Sequence, residues 1–183
     1  MKVTDPNTVH VMIDLETLST RANATILSIG ATKFTLADGI TDKFYCNVDA
    51  KSCKDVGLHV DRSTIEWWMQ QSKAARDALL EDQLPIQEAL TRFTDWIGKD
   101  KVMPWGNGAS FDISILESGY AAVGMPYPWR FSNIMCYRTV MNLMGLSNAK
   151  IRAAENDTHH HALDDDISQT NTLLGILKSL KLR

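Results

Sequence analysis

Two carboxylates stand two residues apart in the segment His10-Val11-Met12-Ile13-Asp14-Leu15-Glu16-Thr17. The apolar run before them predicts a strand over Val9–Ile13 that delivers both acids at its end. Because side chains at i and i+2 of an extended chain lie on one face, Asp14 and Glu16 would project together. Carboxylates this close repel each other unless a proton or a cation lies between them. The pair is therefore either an oxygen-ligand site for Mg²⁺ or Mn²⁺, or two solvated acids.

A third acid, Asp112, follows a predicted strand over Lys101–Trp105 and the turn that begins at Asn107-Gly108. Ser110 is a candidate cap for a helix that runs to about Val123, which places Asp112 in its first turn. A carboxylate there suits the helix dipole, so its position has a purely structural explanation as well as a functional one.

Three histidines, His159–His161, precede three acids, Asp164–Asp166, by a constant offset of five residues. Histidine is the side chain best matched to proton transfer near neutral pH. An acid about one turn further on could bind a metal whose bound water that histidine deprotonates. The spacing alone leaves three His/Asp registers open, and a solvated loop before an acidic helix start is the structural alternative.

In this order the three segments resemble the motifs of the DEDDh 3′→5′ exonucleases, a branch of the ribonuclease H-like fold. The matching residues are Asp14-x-Glu16, Asn107-x-x-x-Phe111-Asp112 and His160-x-Ala162-x-x-Asp165. The position of Ala162 in the third motif favours the register His160/Asp165. Within this family, the stretch 63–76 is similar to phage and prophage exonucleases, including the T4 exonuclease A-type and exodeoxyribonuclease VIII-like groups.

The resemblance implies a metal-dependent nuclease that releases nucleoside 5′-monophosphates from a 3′ end. Two Mg²⁺ or Mn²⁺ ions per active site would be held by four acids: Asp14, Glu16, Asp112 and Asp165. One ion would activate the attacking water, whose proton His160 takes, and the other would stabilise the departing 3′ oxygen. The family pattern also implies four substrate contacts: Thr17, Leu18, Asn107 and Phe111. For Phe111 a core contact at the helix start is an equal alternative.

The expected partner is nucleic acid, and the phage-like segment favours single-stranded DNA or a 3′ overhang over RNA. An exoribonuclease or oligoribonuclease-like enzyme at the same site is the alternative.

Adjacent Trp67 and Trp68 lie about 100° apart on a helix, so one is expected in the core and the other near the active site or in a homodimer interface. Arg130 and Arg138 are candidate phosphate contacts to which the sequence assigns no firm role.

The composition is that of an ordinary globular domain. The chain has 183 residues, 44% hydrophobic and 22% charged residues, and a net charge of −3, so a nucleic-acid partner would need a local basic patch. We expect one domain over residues 1–183, with 1–8 frayed.

Three cysteines without Cys-x-x-Cys spacing argue against a disulfide framework or a zinc site. With neither a leader nor a membrane span in the sequence, we expect a free-standing cytoplasmic nuclease, in the bacterial host if it is phage-encoded.

The hydrophobic pattern and the resemblance together predict an α/β ribonuclease H-like fold. Its central mixed five-stranded sheet would combine an antiparallel three-strand meander with parallel strands, flanked by helices. Besides the segments given above, we predict strands over Ile26–Leu36 and Lys43–Val48, a loop over 49–60, and helices over Thr64–Gln71, Lys73–Leu80, Pro85–Gly98, Ile134–Met144 and Ala162–Leu180.

Two other classes of function compete with the nuclease. One is a non-catalytic nucleic-acid-binding domain on the same fold, which a missing ligand in any motif would favour. The other is a transition-metal-binding protein that uses His159–His161, although the neighbouring acids are hard ligands and no cysteine is suitably placed.

Overall fold

A mixed five-stranded sheet is the centre of the computed structural model, which describes residues 2–146 and 162–181. Its strands are β1 (Val9–Thr17), β2 (Ile26–Thr35), β3 (Gly39–Asn47), β4 (Val102–Gly106) and β5 (Met135–Cys136). Their order is β3-β2-β1-β4-β5, with β1, β2 and β3 antiparallel and β1, β4 and β5 parallel. The predicted fold class, a meander continued by parallel strands, is confirmed.

Helices flank the sheet on both faces. They are α1 (Ala50–Asp55), α2 (Arg62–Met69), α3 (Lys73–Ala78), α4 (Ile86–Ile97), α5 (Asp112–Ala122), α6 (Tyr137–Leu143) and α7 (Ala162–Lys181). A short 3₁₀ turn, Phe131–Asn133, precedes β5. Among the residues given above, no helix has the length and apolar character needed to cross a bilayer.

The central strand β1 supplies two separate cores through its alternating side chains. Val11 and Ile13 face one side of the sheet and are fully buried in a core that includes residues of α4 and α5. Met12 faces the other side and belongs to a second core with residues of α6 and α7. Because the alternation continues along the strand, Asp14 and Glu16 lie on the α7 side of the sheet.

Gly30 sets how closely α7 approaches the sheet. It lies on β2 directly opposite Asp14. A Cβ atom at this position would come within 2.4 Å of the Ala162 carbonyl carbon and 2.5 Å of the Leu163 nitrogen. The backbone of the first turn of α7 therefore packs directly onto the backbone of β2, which only glycine permits. Two turns further along α7, the hydroxyls of Thr170 and Thr32 lie 2.6 Å apart and fix the same contact.

The predicted loop over 49–60 is wrong, because it contains helix α1. The Asp49 carboxylate accepts hydrogen bonds from the backbone N–H groups of Lys51 and Ser52, which caps the helix. Cys53 then anchors this short helix in the core with none of its side chain exposed.

The helix predicted over Ile134–Met144 begins only at Tyr137. Met135 and Cys136 instead pair with Trp105 and Gly106 of β4 and form the fifth strand. The predicted Ser110 cap is also wrong, since Phe111 occupies the N-cap position of α5 without a side-chain hydrogen bond to the helix. At Met135 and Cys136 a long-range contact decides the local structure.

Substitution Gly30→Ala should strongly destabilise the protein, because the added methyl group meets backbone that cannot turn away. Overpacking of this kind costs about 1–3 kcal/mol, and more where the backbone must shift. The measurement is the free energy of unfolding from urea denaturation. Gly175→Ala is the matched control, since Gly175 is an exposed α7 residue with nothing within 4 Å of its Cβ position. That control should be neutral or stabilising, and equal effects of the two changes would contradict the role given to Gly30.

Candidate active site

The first two acids lie inside strand β1 rather than after it. The strand continues four residues beyond the predicted end at Ile13, to Thr17. Its pairing with β4 stops at Ile13↔Gly106, while its pairing with β2 continues. The segment 14–17 is therefore hydrogen-bonded to a neighbouring strand on one side only. This gives Asp14 and Glu16 a rigid backbone beside an open edge of the sheet.

Helix α7 brings a third acid to this pair. Carboxylate oxygens of Asp14, Glu16 and Asp165 lie within 4.8 Å of one another. The neighbouring acids of α7 are placed differently, because Asp164 is exposed and Asp166 is fully buried away from solvent. Of the three registers that the spacing left open, the described residues therefore bring Asp165 to the acids of β1. His159, His160 and His161 lie outside the described residues.

Asp112 lies beside these three acids and close to backbone amides. The N–H groups of Leu15, Asn107 and Asp112 itself act to lower the pKa of its carboxylate, against the larger effect of burial. Leu15 lies on the segment of β1 that β4 no longer pairs, so Asp112 lies near the open edge of the sheet. Gly106, the last residue of β4, has no side chain that would crowd the Asp112 carboxylate. A Cβ atom at Gly106 would lie only 3.0 Å from Asp112 Oδ2.

The electrostatics of these acids favour a bound cation. Burial, followed by the charges of Asp165 and Asp112, raises the pKa of Glu16 to about 8. Burial and its three acidic neighbours also raise the pKa of Asp14 well above its usual value, and burial raises that of Asp112 to about 7. A divalent cation would relieve this repulsion and replace the protons. Clustered carboxylate oxygens are the donors that Mg²⁺ and Mn²⁺ prefer, so the residues present fit such an ion.

An open pocket of about 400 Å³ adjoins the acids, and Glu16 belongs to both. Its remaining lining comes from the end of β1 and the loop after it, from α2 and from the start of α5: Leu15, Thr17, Thr20, Ser63, Thr64, Trp67, Trp68 and Phe111. Apolar and aromatic surface dominates this lining, and a few hydroxyl groups supply hydrogen-bonding capacity. A mostly apolar cleft with a few polar groups is typical of a site for a small ligand or a nucleotide.

One of the two adjacent tryptophans is buried and the other is exposed, as the sequence predicts. Trp68 is 5% exposed, and its indole Nε1 donates to the backbone carbonyl of Thr17 at 2.9 Å. Trp67 is 41% exposed and lines the pocket, with its ring edge-to-face against Trp68 at a centroid distance of 5.1 Å. The buried ring thus ties α2 to β1 and positions the exposed ring at the pocket.

The four predicted substrate contacts occupy different places. Thr17 lines the pocket, and Phe111 does so while also packing against the main core. Leu18 packs instead against the small apolar cluster that contains Trp68. Asn107 lies in the turn before Asp112, where its carbonyl accepts a hydrogen bond from the exposed guanidinium of Arg138.

Two features near the acids were absent from the sequence predictions or lacked a role there. Arg138 of α6 lies near Asp112 and acts to lower its pKa, whereas Arg130 is simply exposed ahead of the 3₁₀ turn. Gln169 of α7 donates a hydrogen bond from Nε2 to Asp14 Oδ1 at 3.1 Å. The sequence signal for Gln169 was its spacing from Asp165. Gln169 follows Asp165 by four residues, and residues four apart on a helix share a face.

The sheet order and the flanking helices are those of the ribonuclease H-like fold, with the acids grouped beside β1. Residues 9–177 match the family described as the 3′-5′ exoribonuclease Rv2179c-like domain. The chain belongs to this family, and the resemblance to DEDDh 3′→5′ exonucleases, which are phosphodiester hydrolases, is confirmed.

Known proteins agree with this placement. The exodeoxyribonuclease of Enterobacteria phage T4 is 29% identical over 124 residues, which cover 57% of this chain and 52% of that protein, so the chain spans about half the length of this curated relative. The nuclease domain of 3′hExo, a DEDDh family member solved with rAMP, superposes with a TM-score of 0.63 at 14% identity, over 93% of this chain and 92% of that one. E. coli Exonuclease I, solved with a dA16 oligonucleotide, superposes with a TM-score of 0.67 at 13% identity. The superposition covers 94% of this chain and 41% of that one. Both structural likenesses establish the fold.

The raised pKa values predict a stability that depends on both pH and metal. Without metal, the folded protein keeps protons on Glu16 up to about pH 8, whereas the unfolded chain releases them near its ordinary pKa of 4.5. The folded state therefore binds more protons across this window, and its stability should fall as pH rises from about 4.5 to about 8. Mn²⁺ should raise the melting temperature more at about pH 8.5 than at about pH 6, because fewer protons compete for the ligands.

Thermal melts at both pH values, with Mn²⁺ or with EDTA, test this expectation. Asp14→Asn should lose most of the Mn²⁺ effect. Asp77→Asn, which changes an exposed acid paired with Lys73 on α3, should keep it. A Mn²⁺ shift that is equal at both pH values, or unchanged in Asp14→Asn, would contradict a metal site at these acids.

Proposed function

We propose that this protein is a metal-dependent exonuclease that removes nucleoside 5′-monophosphates from the 3′ end of DNA. The observation that carries the proposal is the convergence of Asp14, Glu16 and Asp165, from β1 and α7, within 4.8 Å and next to a pocket with an exposed aromatic ring. Membership of a 3′→5′ exonuclease family supports the same reaction.

In this proposal the acids hold two Mg²⁺ or Mn²⁺ ions. Asp14, Glu16 and Asp165 form one group of ligands, and Asp112, near the amides of Leu15 and Asn107, completes the set. When bound, such ions supply Lewis-acid stabilisation of charge at the scissile phosphate and lower the pKa of a water molecule. His160 is proposed as the base that takes the proton of the attacking water, on its sequence position alone.

The pocket beside Glu16 is proposed to take the terminal nucleotide. Trp67 is 41% exposed and lines the pocket, where its ring is proposed to stack on an unpaired base, and Phe111 lies on the α5 side of the same pocket. Stacking tolerates any base, as an exonuclease requires. The guanidinium of Arg138, held by the Asn107 carbonyl near Asp112, is proposed as a contact for a backbone phosphate.

DNA is proposed as the preferred substrate, and single strands or 3′ overhangs as the preferred form. The T4 exodeoxyribonuclease, which is 29% identical, supports DNA. The printed description of the family, an exoribonuclease-like domain, supports RNA as the second candidate. A host cytoplasm and a homodimer stay predictions from the sequence; light scattering of the purified protein measures the oligomeric state.

The proposed reaction should appear as a ladder that shortens from the 3′ end of a 5′-labelled oligonucleotide. Matched single-stranded DNA and RNA would be incubated with Mg²⁺, Mn²⁺ or EDTA. We expect activity with either metal, faster on DNA, and none in EDTA. Asp14→Asn should abolish the ladder, and His160→Ala should slow the reaction at least about a hundredfold, because general-base catalysis contributes roughly 10²–10⁴-fold. Intact substrate under every condition would leave only nucleic-acid binding.

Trp67→Ala should raise KM for single-stranded oligonucleotides and leave kcat nearly unchanged. Loss of one base-stacking platform costs about 1–3 kcal/mol, or roughly 5–150-fold in KM. Ile65→Ala is the matched control, because Ile65 is equally exposed at 41% on the same helix and does not line the pocket. Equal KM values for the two variants would place the terminal base elsewhere.

A further inference from the structure

Gln169 is the polar neighbour of the acids that does not belong to the proposed set of ligands. It lies on α7 four residues after Asp165, so both side chains project from the same face of the helix. Its amide Nε2 donates to Asp14 Oδ1 at 3.1 Å, across 155 residues of sequence. The residue is only 9% exposed, so water competes little for this bond.

The chemistry of the two groups fixes how this amide is oriented. When a cation is bound, the Asp14 carboxylate is ionised and can only accept hydrogen bonds, so the amide then turns its nitrogen towards Asp14. Its oxygen Oε1 then points into a buried environment, where it has no hydrogen-bond partner among the residues that the structure describes. Burying an acceptor without a partner is unfavourable.

Packing on either side of Gln169 holds the amide in place independently of the acids. The Thr170 hydroxyl lies 2.6 Å from that of Thr32 on β2, and the first turn of α7 packs against Gly30. The helix cannot slide along the sheet without breaking these contacts. The donor of Gln169 therefore meets Asp14 at a fixed position.

We propose that Gln169 is a positioning residue whose amide engages one oxygen of Asp14 and so orients this carboxylate towards the divalent cation. The inference rests on the proposed function, since it assigns Gln169 a role towards the metal ligands. Groups that hydrogen-bond to metal ligands fix ligand orientation, and their loss typically lowers metal affinity or activity by about 10–100-fold.

Gln169→Met separates this role from a structural one. Methionine has a similar length and removes both the donor and the unpaired Oε1, so in EDTA the variant should melt at or above the wild-type temperature. Its Kd for Mn²⁺, measured without substrate from the electron paramagnetic resonance signal of free Mn²⁺, should rise about 10–100-fold. In assays, the Mn²⁺ concentration for half-maximal activity should rise in parallel, while KM for the oligonucleotide at saturating Mn²⁺ should stay unchanged.

Thr172→Val is the matched control, because it removes a side-chain hydrogen bond to the Ser168 carbonyl on the same helix and leaves the bond between Gln169 and Asp14 intact. It should bind Mn²⁺ as the wild type does. Gln169→Leu is a second apolar variant that should give the same result as Gln169→Met, should the latter not fold.

The outcomes are distinct. Unchanged Mn²⁺ affinity in a folded Gln169 variant, beside a wild type that binds Mn²⁺ and degrades oligonucleotides, would overturn the positioning role and leave the proposed function intact. Equal losses of affinity in Thr172→Val and Gln169→Met would also overturn it, because the effect would then be general to α7. A wild type that binds no Mn²⁺ would overturn the proposed function and this inference together.

Discussion

Mutual repulsion among carboxylates held close together is the constraint on which this structure depends. Asp14, Glu16 and Asp165 approach within 4.8 Å, and the pKa of Glu16 rises to about 8 as burial and its acidic neighbours act on it. A chain free to relax would separate such groups. The fold must therefore hold them by contacts that do not involve the acids themselves.

Those contacts come from the packing of α7 on the meander. Gly30 lets the backbone of the first helical turn touch β2, and the Thr32–Thr170 pair fixes the helix further along. On the other side, β1 continues beyond the end of its pairing with β4, and Asp112 of α5 lies beside this unpaired edge. The apolar cores beneath both faces make this frame rigid. An arrangement that is unfavourable locally is thereby maintained by the stability of the whole domain.

Much of this could be predicted from the sequence, because some signals are local. The period of two along β1 placed Asp14 and Glu16 on one face, and the adjacency of Trp67 and Trp68 implied that only one could be buried. The choice of Asp165 among three consecutive acids came from family resemblance, since spacing alone allowed three registers. The remainder depends on distant contacts. Met135 and Cys136 are a strand only because β4 lies beside them, and Gln169 meets an acid 155 residues away.

Helix α1 was missed in the sequence analysis for a different reason, because the signal for its N-terminal cap was local. Asp49 followed by a short polar stretch is an ordinary helix start, yet a six-residue helix has too little periodicity to be distinguished from a loop. The burial of Cys53, which holds that helix in place, is again a tertiary contact. The same distinction applies to the candidate site. The types of its ligand residues can be read from the sequence, whereas the orientation of their side chains depends on packing.

The most direct test of a metal centre at these acids is anomalous diffraction from crystals grown with Mn²⁺ and a nucleoside 5′-monophosphate. A two-metal site predicts two anomalous peaks about 3.5–4 Å apart beside Asp14, Glu16 and Asp165, as in two-metal phosphoryl-transfer sites, with the base of the nucleotide against Trp67. No peak beside these carboxylates, or manganese bound only elsewhere on the protein, would contradict the claim that this acidic cluster is a catalytic metal centre.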